Sequence, residues 1–275
     1  MQRGLFTSVF IALLAAGTAT AATLEPATAK AWDEYVRSAI DRMDQRLHDG
    51  KPFLWADESP ERIAKLRAGE IVVAPVGEHS PQKVPSGLIH DWVGAIFIDH
   101  TSISDVLRIV RNYDRYKDIY QPTVIDSKEI SSAPTDDRFS MLLRNKSLLL
   151  KTAFDADYES SYTRLGDGRA YSVSRTTRVQ EIEDYGTPDQ HSLRPGAGSG
   201  IIWRLFAITR YEERDGGVYV ELEAIALSRD IPGALRWFVD PIVRRVSRAS
   251  LEKSLEQTQN AVRCDAQLAS TKISH

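Results

Sequence analysis

The chain has 275 residues, 42% of them hydrophobic and 27% charged, an ordinary globular composition that excludes disorder as its overall class. Its formal net charge is −3, with both signs interleaved and no long basic block, which argues against a DNA- or RNA-binding protein. The single cysteine, Cys264, rules out an intramolecular disulfide, so the fold has to be held by its core.

The opening residues place Arg3 ahead of an apolar run from Leu5 to Ala16, followed by Ala19-Thr20-Ala21. That order is expected of an export signal spanning residues 1–21 and cut after Ala21 or Ala22. The run breaks at Gly17-Thr18, short of the roughly 20 apolar residues that a membrane span needs. No cysteine near the cut could carry a lipid. The expectation is an exported protein, periplasmic or secreted.

Residues 22–85 form the next unit, an amino-terminal helix and a connector. From Lys30 to Leu47, Trp32, Val36, Ala39, Ile40, Met43 and Leu47 recur at steps of three and four, the mark of an amphipathic helix. Its greasy side could pack on its own domain, mediate dimerisation or cap a cavity. The connector carries Pro60, Pro75, Pro81 and Pro85, and Ser59-Pro60 could cap a short helix running to Leu66.

The main domain is expected over 86–263, with a flexible tail at 264–275. Leu88 to Ile98 has strand composition, and Ser102 to Val110 has helical spacing. A second short helix holds Tyr113, Tyr116, Ile119 and Tyr120 and is stopped by Pro122. Strand-like runs follow near 123–132, 138–145, 148–160, 169–183, 200–213 and 217–229, separated by turn signals, and a long helix closes the chain from about Pro241 to Val262. Consecutive strands with short turns argue for an antiparallel meander with helices covering one face.

This order, with Asp91-Trp92-Val93 in the first strand, Asn112-Tyr113-Asp114-Arg115-Tyr116-Lys117 in the second helix and Tyr120-Gln121-Pro122-Thr123-Val124 leading into the next strand, resembles the START-like (SRPBCC, helix-grip) superfamily. That superfamily includes polyketide cyclases and lipid-transfer proteins, and the resemblance spans roughly residues 86–262. It implies an α+β helix-grip fold: a curved antiparallel sheet of about seven strands wrapped around the long carboxy-terminal helix, with an apolar ligand between them. The amino-terminal helix falls outside the pattern.

The residues themselves allow a test of that picture. On the last helix, Arg244, Arg245, Arg248, Glu252 and Glu256 share one side, and Ser247, Ser250 and Ser254, edged by Val243, Val246 and Leu251, share the other. Small residues facing the sheet either allow close approach or roof a cavity. Strand alternation puts Trp203, Leu205, Ala207, Thr209 and Tyr211 on one face, with Val220, Leu222 and Ala224 in the neighbouring strand. Arg204, Arg210, Glu221 and Glu223 then make an outer face with cross-strand charge pairs. In the strand from 169, Tyr171, Val173, Arg175 and Thr177 are one candidate inner set; Arg175 either meets a ligand carboxylate or phosphate or lies exposed outside. The candidate ligand-binding residues are therefore Trp203, Leu205, Tyr171, Arg175, Val220, Leu222, Ala224, Val243, Ser247, Ser250 and Ser254.

Catalytic and metal signals are weak. His90 and His100 are about 30 Å apart on an extended strand and cannot share an ion, no zinc or calcium pattern occurs, and no metal or cofactor is expected. Gly196-Ala197-Gly198-Ser199-Gly200 lacks the lysine and the following helix of a phosphate loop and reads as a hairpin loop. Asp155 and Asp157 share a strand face as solvated charge. No residue is singled out as catalytic. The leading expectation is an exported carrier or sensor of a hydrophobic, lipid-like small molecule, with transient membrane contact left open and no oligomeric state specified. The alternatives are a cyclase or dehydratase working in the same cavity through tyrosines, His90 or Arg175, and an interaction module built on the amino-terminal helix.

Overall fold

The computed structural model describes residues 22–48, 50–77, 80–144, 152–231 and 233–273, with side chains of the last helix described from Pro241 to Leu268. The expected export signal lies outside the described residues. Helix α1 is Pro26–His48, and Ser59 caps α2, Pro60–Arg67, by accepting the Arg62 N–H at 3.4 Å. Helix α3, Ile103–Val110, opens on a reciprocal box in which Ser102 and Asp105 each bond the other's backbone N–H. The single turn α4 is Tyr116–Ile119.

Seven long strands form the expected meander: β4 (Gly87–Asp99), β5 (Val124–Ser132), β6 (Asp136–Arg144), β7 (Ala153–Gly166), β8 (Arg169–Glu183), β11 (Arg204–Arg214) and β12 (Gly217–Arg229). The sheet has ten strands in all, because β2 (Val72–Pro75) and β3 (Gln82–Val84) of the connector pair with β4, and β9 (His191–Ser192) pairs with β8. Its order is β2-β4-β12-β11-β8-β7-β6-β5, antiparallel throughout. Two residues at each end of a separate ribbon, β1 (Ala22–Thr23) and β10 (Ala197–Gly198), tie the start of the described chain to the loop before β11.

Helix α5, Gly233–Ile273, is longer at both ends than its periodicity suggested. The segment expected as a tail from 264 continues it to Ile273. Packed on the inner face of the sheet, α5 contributes Leu251, Leu255 and Val262 to a core with Trp92, Ile96, Val106, Val218 and Val220.

A helix covers the outer face as well. Trp32, Ala39 and Met43 of α1, with Phe53, Leu54 and Leu66 after it, are buried against Ile89, Ala95, Phe206, Ile208, Tyr219 and Ile225. The outer charges expected at Arg210, Glu221 and Glu223 do pair across strands, at 3.0 Å each, but they are sealed from water: Arg210 is 1% exposed and Glu221 0%. Arg42 of α1 adds bonds to Glu223 at 3.0 Å and Asp91 at 3.3 Å, Tyr35 donates to Asp91 at 2.8 Å, and the Trp55 and Ala56 N–H groups donate to Glu221 at 3.0 Å. A buried ion pair survives only when its remaining bonding capacity is met, and α1 supplies much of that bonding. Strand β4 is buried without a break from Gly87 to Ile96, the near-continuous pattern of a strand covered on both faces.

The candidate ligand cavity

Between sheet and α5 lies a cavity of about 1390 Å³. Its sheet wall includes Leu205, Val220, Leu222 and Ala224, and its helix wall Val243, Ser247, Ser250 and Ser254, eight of the positions singled out from sequence. Leu251 and Leu255 of α5 pack on the sheet, and the small serine side chains on the same helix take up little of the space between them.

Three expected residues are elsewhere. Tyr171 faces Arg210 and Arg175 faces Phe206 across the β8–β11 ladder, and directly opposed residues share a face. Since Arg210 points outward, so do they: Tyr171 packs on the outer core, and exposed Arg175 pairs with Glu159 at 3.1 Å. Their neighbours Ser172 and Ser174 take the inner face instead. Trp203 stands one residue before β11, where strand alternation has not begun, and is buried in the outer core.

Beyond that point β8 changes parity. Tyr158 pairs with Thr176 but Asp157 pairs with Arg178, so Thr177 is an extra, bulged residue. The bulge turns Val179, Glu181 and Glu183 inward and Arg178 outward, where Arg178 bonds Asp157 at 2.7 Å and Asp155 at 2.8 Å. The two aspartates expected as solvated charge are partly exposed and also anchor one arginine.

The cavity has two unlike ends. Near Arg229 it is lined by Glu181, Glu183, Asp184 and His90. The Glu181 carboxylate accepts the Ser199 N–H at 2.7 Å and the Ser199 hydroxyl at 2.8 Å, and burial raises its pKa. Gly198, at φ +130°, is required there, because a Cβ would stand 2.3 Å from the Glu181 oxygen. His90 contacts the Ser228 hydroxyl at 2.9 Å. The Gly196–Gly200 segment is thus a loop against the cavity rim, and Glu181 is a functional candidate that sequence reasoning did not single out.

The other end is aromatic and hydroxyl-rich. Tyr113, Phe139 and Tyr158 stack face to face, with centroids 4.0 and 4.9 Å apart, and Tyr116 meets Tyr113 edge-on. Tyr113 donates to the buried carboxylate of Asp137 at 2.8 Å, and Arg111 grips the same carboxylate at 2.7 and 2.8 Å. Burial alone would raise the Asp137 pKa, but the bonds from Arg111, Ser132 and Tyr113 outweigh it and hold the group ionised. Burial also raises the tyrosine pKa values, that of Tyr211 to about 12, so these hydroxyls are neutral near pH 7. The Tyr158-Ser160-Tyr162 alternation on β7 was the legible signal for this wall. Among the described residues, no group of three or more His, Cys, Asp or Glu side chains is placed to hold a metal.

The fold and its site define an α+β helix-grip protein with an internal, largely apolar cavity. No protein-family model and no curated protein matches the chain. Solved structures do. A STAR-related lipid transfer protein fragment from Xanthomonas axonopodis matches at 16% identity and TM-score 0.46, covering 70% of this chain and 98% of that one. Human STARD10 matches at 9% and 0.45, covering 79% and 84%, and the Zhui aromatase/cyclase from Streptomyces sp. R1128 at 8% and 0.41, covering 64% and 94%. These are likenesses of fold at low scores, and they carry no argument about ligand or activity.

Proposed function

We propose that the protein is an exported carrier of a hydrophobic, lipid-like small molecule held between the sheet and α5. The supporting observation is the cavity of about 1390 Å³, walled by Leu205, Val220, Leu222, Ala224 and Val243. Protein interiors pack as densely as organic crystals, so a space of this size with apolar walls is where a ligand belongs. Export rests on the pattern of residues 1–21. Titrating the delipidated mature chain with an environment-sensitive fluorescent lipid probe tests the reading. Saturable one-to-one binding that Ala224→Phe weakens at least about tenfold supports it, and no binding, or binding indifferent to Ala224→Phe, contradicts it.

A second reading, acid–base catalysis in the same cavity, rests on Glu181. Its carboxyl is buried at the cavity wall with its pKa raised, as a general acid requires. Under the carrier reading Glu181→Gln leaves bound ligand chemically unchanged. Under the catalytic reading the wild type transforms its ligand and the variant accumulates it intact.

A further inference from the structure

A hydroxyl buried without a partner is costly, so each one in a folded chain raises the question of what pairs with it. Six tyrosines line the cavity, and five of them are paired within the protein. Tyr113 donates to Asp137, and Tyr116 donates to the Val110 carbonyl. Tyr162 lies 2.7 Å from the Tyr113 oxygen, Tyr120 2.9 Å from the Thr258 hydroxyl and Tyr211 3.4 Å from that of Ser172. Tyr158 is the exception. It is 6% exposed, and its hydroxyl has no partner among the described residues. Asp91, Thr101 and Trp203 also bury a polar atom without a partner, but none of these three lines the cavity.

The Tyr158 ring is held in place by its stack on Phe139, 4.9 Å between centroids, within a cluster that includes Val179 and Leu205. Burial raises its pKa, so the oxygen keeps its proton near pH 7. A second proton is free on the same wall. Ser174, diagonal to Tyr158 across the β7–β8 ladder, receives the Ser160 proton at 2.8 Å and keeps its own.

Charge limits what can accept these protons. The Arg111 guanidinium is committed to Asp137, Ser132 and the carbonyls of Ala133 and Pro134. Arg229 is the one Lys or Arg among the described lining residues, and it is exposed. Tyr158 pairs with Thr176, Thr176 bonds the Leu205 N–H, and Leu205 pairs with Ala226. Arg229 is therefore three strands across and three residues along from Tyr158, roughly 17 Å from backbone to backbone on an extended sheet. A carboxylate beside Tyr158 would be buried without a cation, whereas a carbonyl oxygen supplies lone pairs and brings neither a charge nor a proton needing its own partner.

We infer that Tyr158 is a hydrogen-bond donor to an uncharged acceptor oxygen of the carried molecule, of the ketone or ester kind. The inference rests on the carrier reading and deepens it.

The test uses dodecan-2-one, its isostere 2-methyldodec-1-ene with CH2 in place of the oxygen, and dodecanoate at pH 8. Each is competed against the fluorophore N-phenyl-1-naphthylamine on the delipidated mature chain. Tyr158→Phe should weaken the ketone by about tenfold, the worth of about one hydrogen bond. The alkene should bind that variant as tightly or more tightly, because in the wild type it leaves the hydroxyl unpaired. A loss for one probe without a loss for its isostere is a result that misfolding cannot imitate. Dodecanoate should bind the wild type more weakly than the ketone. Melting of the empty chain gives a second readout: Tyr158→Phe should hold or raise Tm, since it removes an unpaired group, whereas Tyr113→Phe, which breaks the bond to Asp137, should lower it. Equal changes for ketone and alkene on Tyr158→Phe, a lower Tm for the empty variant, or dodecanoate binding as tightly as the ketone overturns the inference and leaves the carrier reading standing. Failure of all three probes and of the fluorophore to bind overturns both.

Discussion

The two faces of one sheet are built by the same strands and end in opposite states. On β12, Val220, Leu222 and Ala224 point into the cavity, while the intervening Glu221 and Glu223 point into a layer closed by α1, with Arg210 between them. The outer face spends its charges on one another and on α1, leaving little room or bonding capacity. On the inner face α5 packs through Leu251 and Leu255, and its serines line the cavity. A closed face supplies rigidity and an open one supplies room, and the pleat lets one strand serve both.

The largest expected effect comes from breaking the closed face. Arg210→Ala leaves Glu221 buried without its cation and Glu223 with Arg42 alone, and should cost about 3–5 kcal/mol in urea unfolding. A loss below about 1 kcal/mol would mean that water reaches the network. The next contrast sets one substitution on opposite faces. Ala95, 1% exposed, sits under α1, so Ala95→Leu should cost about 1–3 kcal/mol through overpacking, whereas Ala224→Leu, with the cavity to grow into, should cost less than about 1. Equal costs would erase the distinction between the faces.

A smaller effect should follow pH. Burial, reinforced by the charge of Glu223, raises the Asp91 carboxyl to about 7 against the bonds from Tyr35 and Arg42, and one of its oxygens has no partner among the described residues. A folded pKa above the unfolded value of about 4 means the folded state holds the extra proton, so this group's contribution is full below about pH 4 and is lost as pH rises through about 7. Asp91→Asn should flatten that decline in stability between pH 4 and 7. An unchanged profile would assign it to other groups.

The meander, its seven long strands, the helix-grip order and eight of eleven candidate lining residues were legible because alternation is a local signal. What was not legible depends on partners distant in sequence. The outward charges of β11 and β12 look the same whether water or α1 covers them, and α1 lies more than 150 residues away. The Thr177 bulge inverts the face of every residue after it, so the parity that brings Glu181 to the cavity is not the one with which β8 starts, and Tyr171 and Arg175 were placed by a parity that only the register with β11 decides.

Native mass spectrometry of the mature chain, expressed with export and followed by organic extraction, tests the carrier claim most directly. The expected result is one apolar, lipid-like molecule per chain. A chain that emerges empty and stays empty when offered lipid extracts would contradict it.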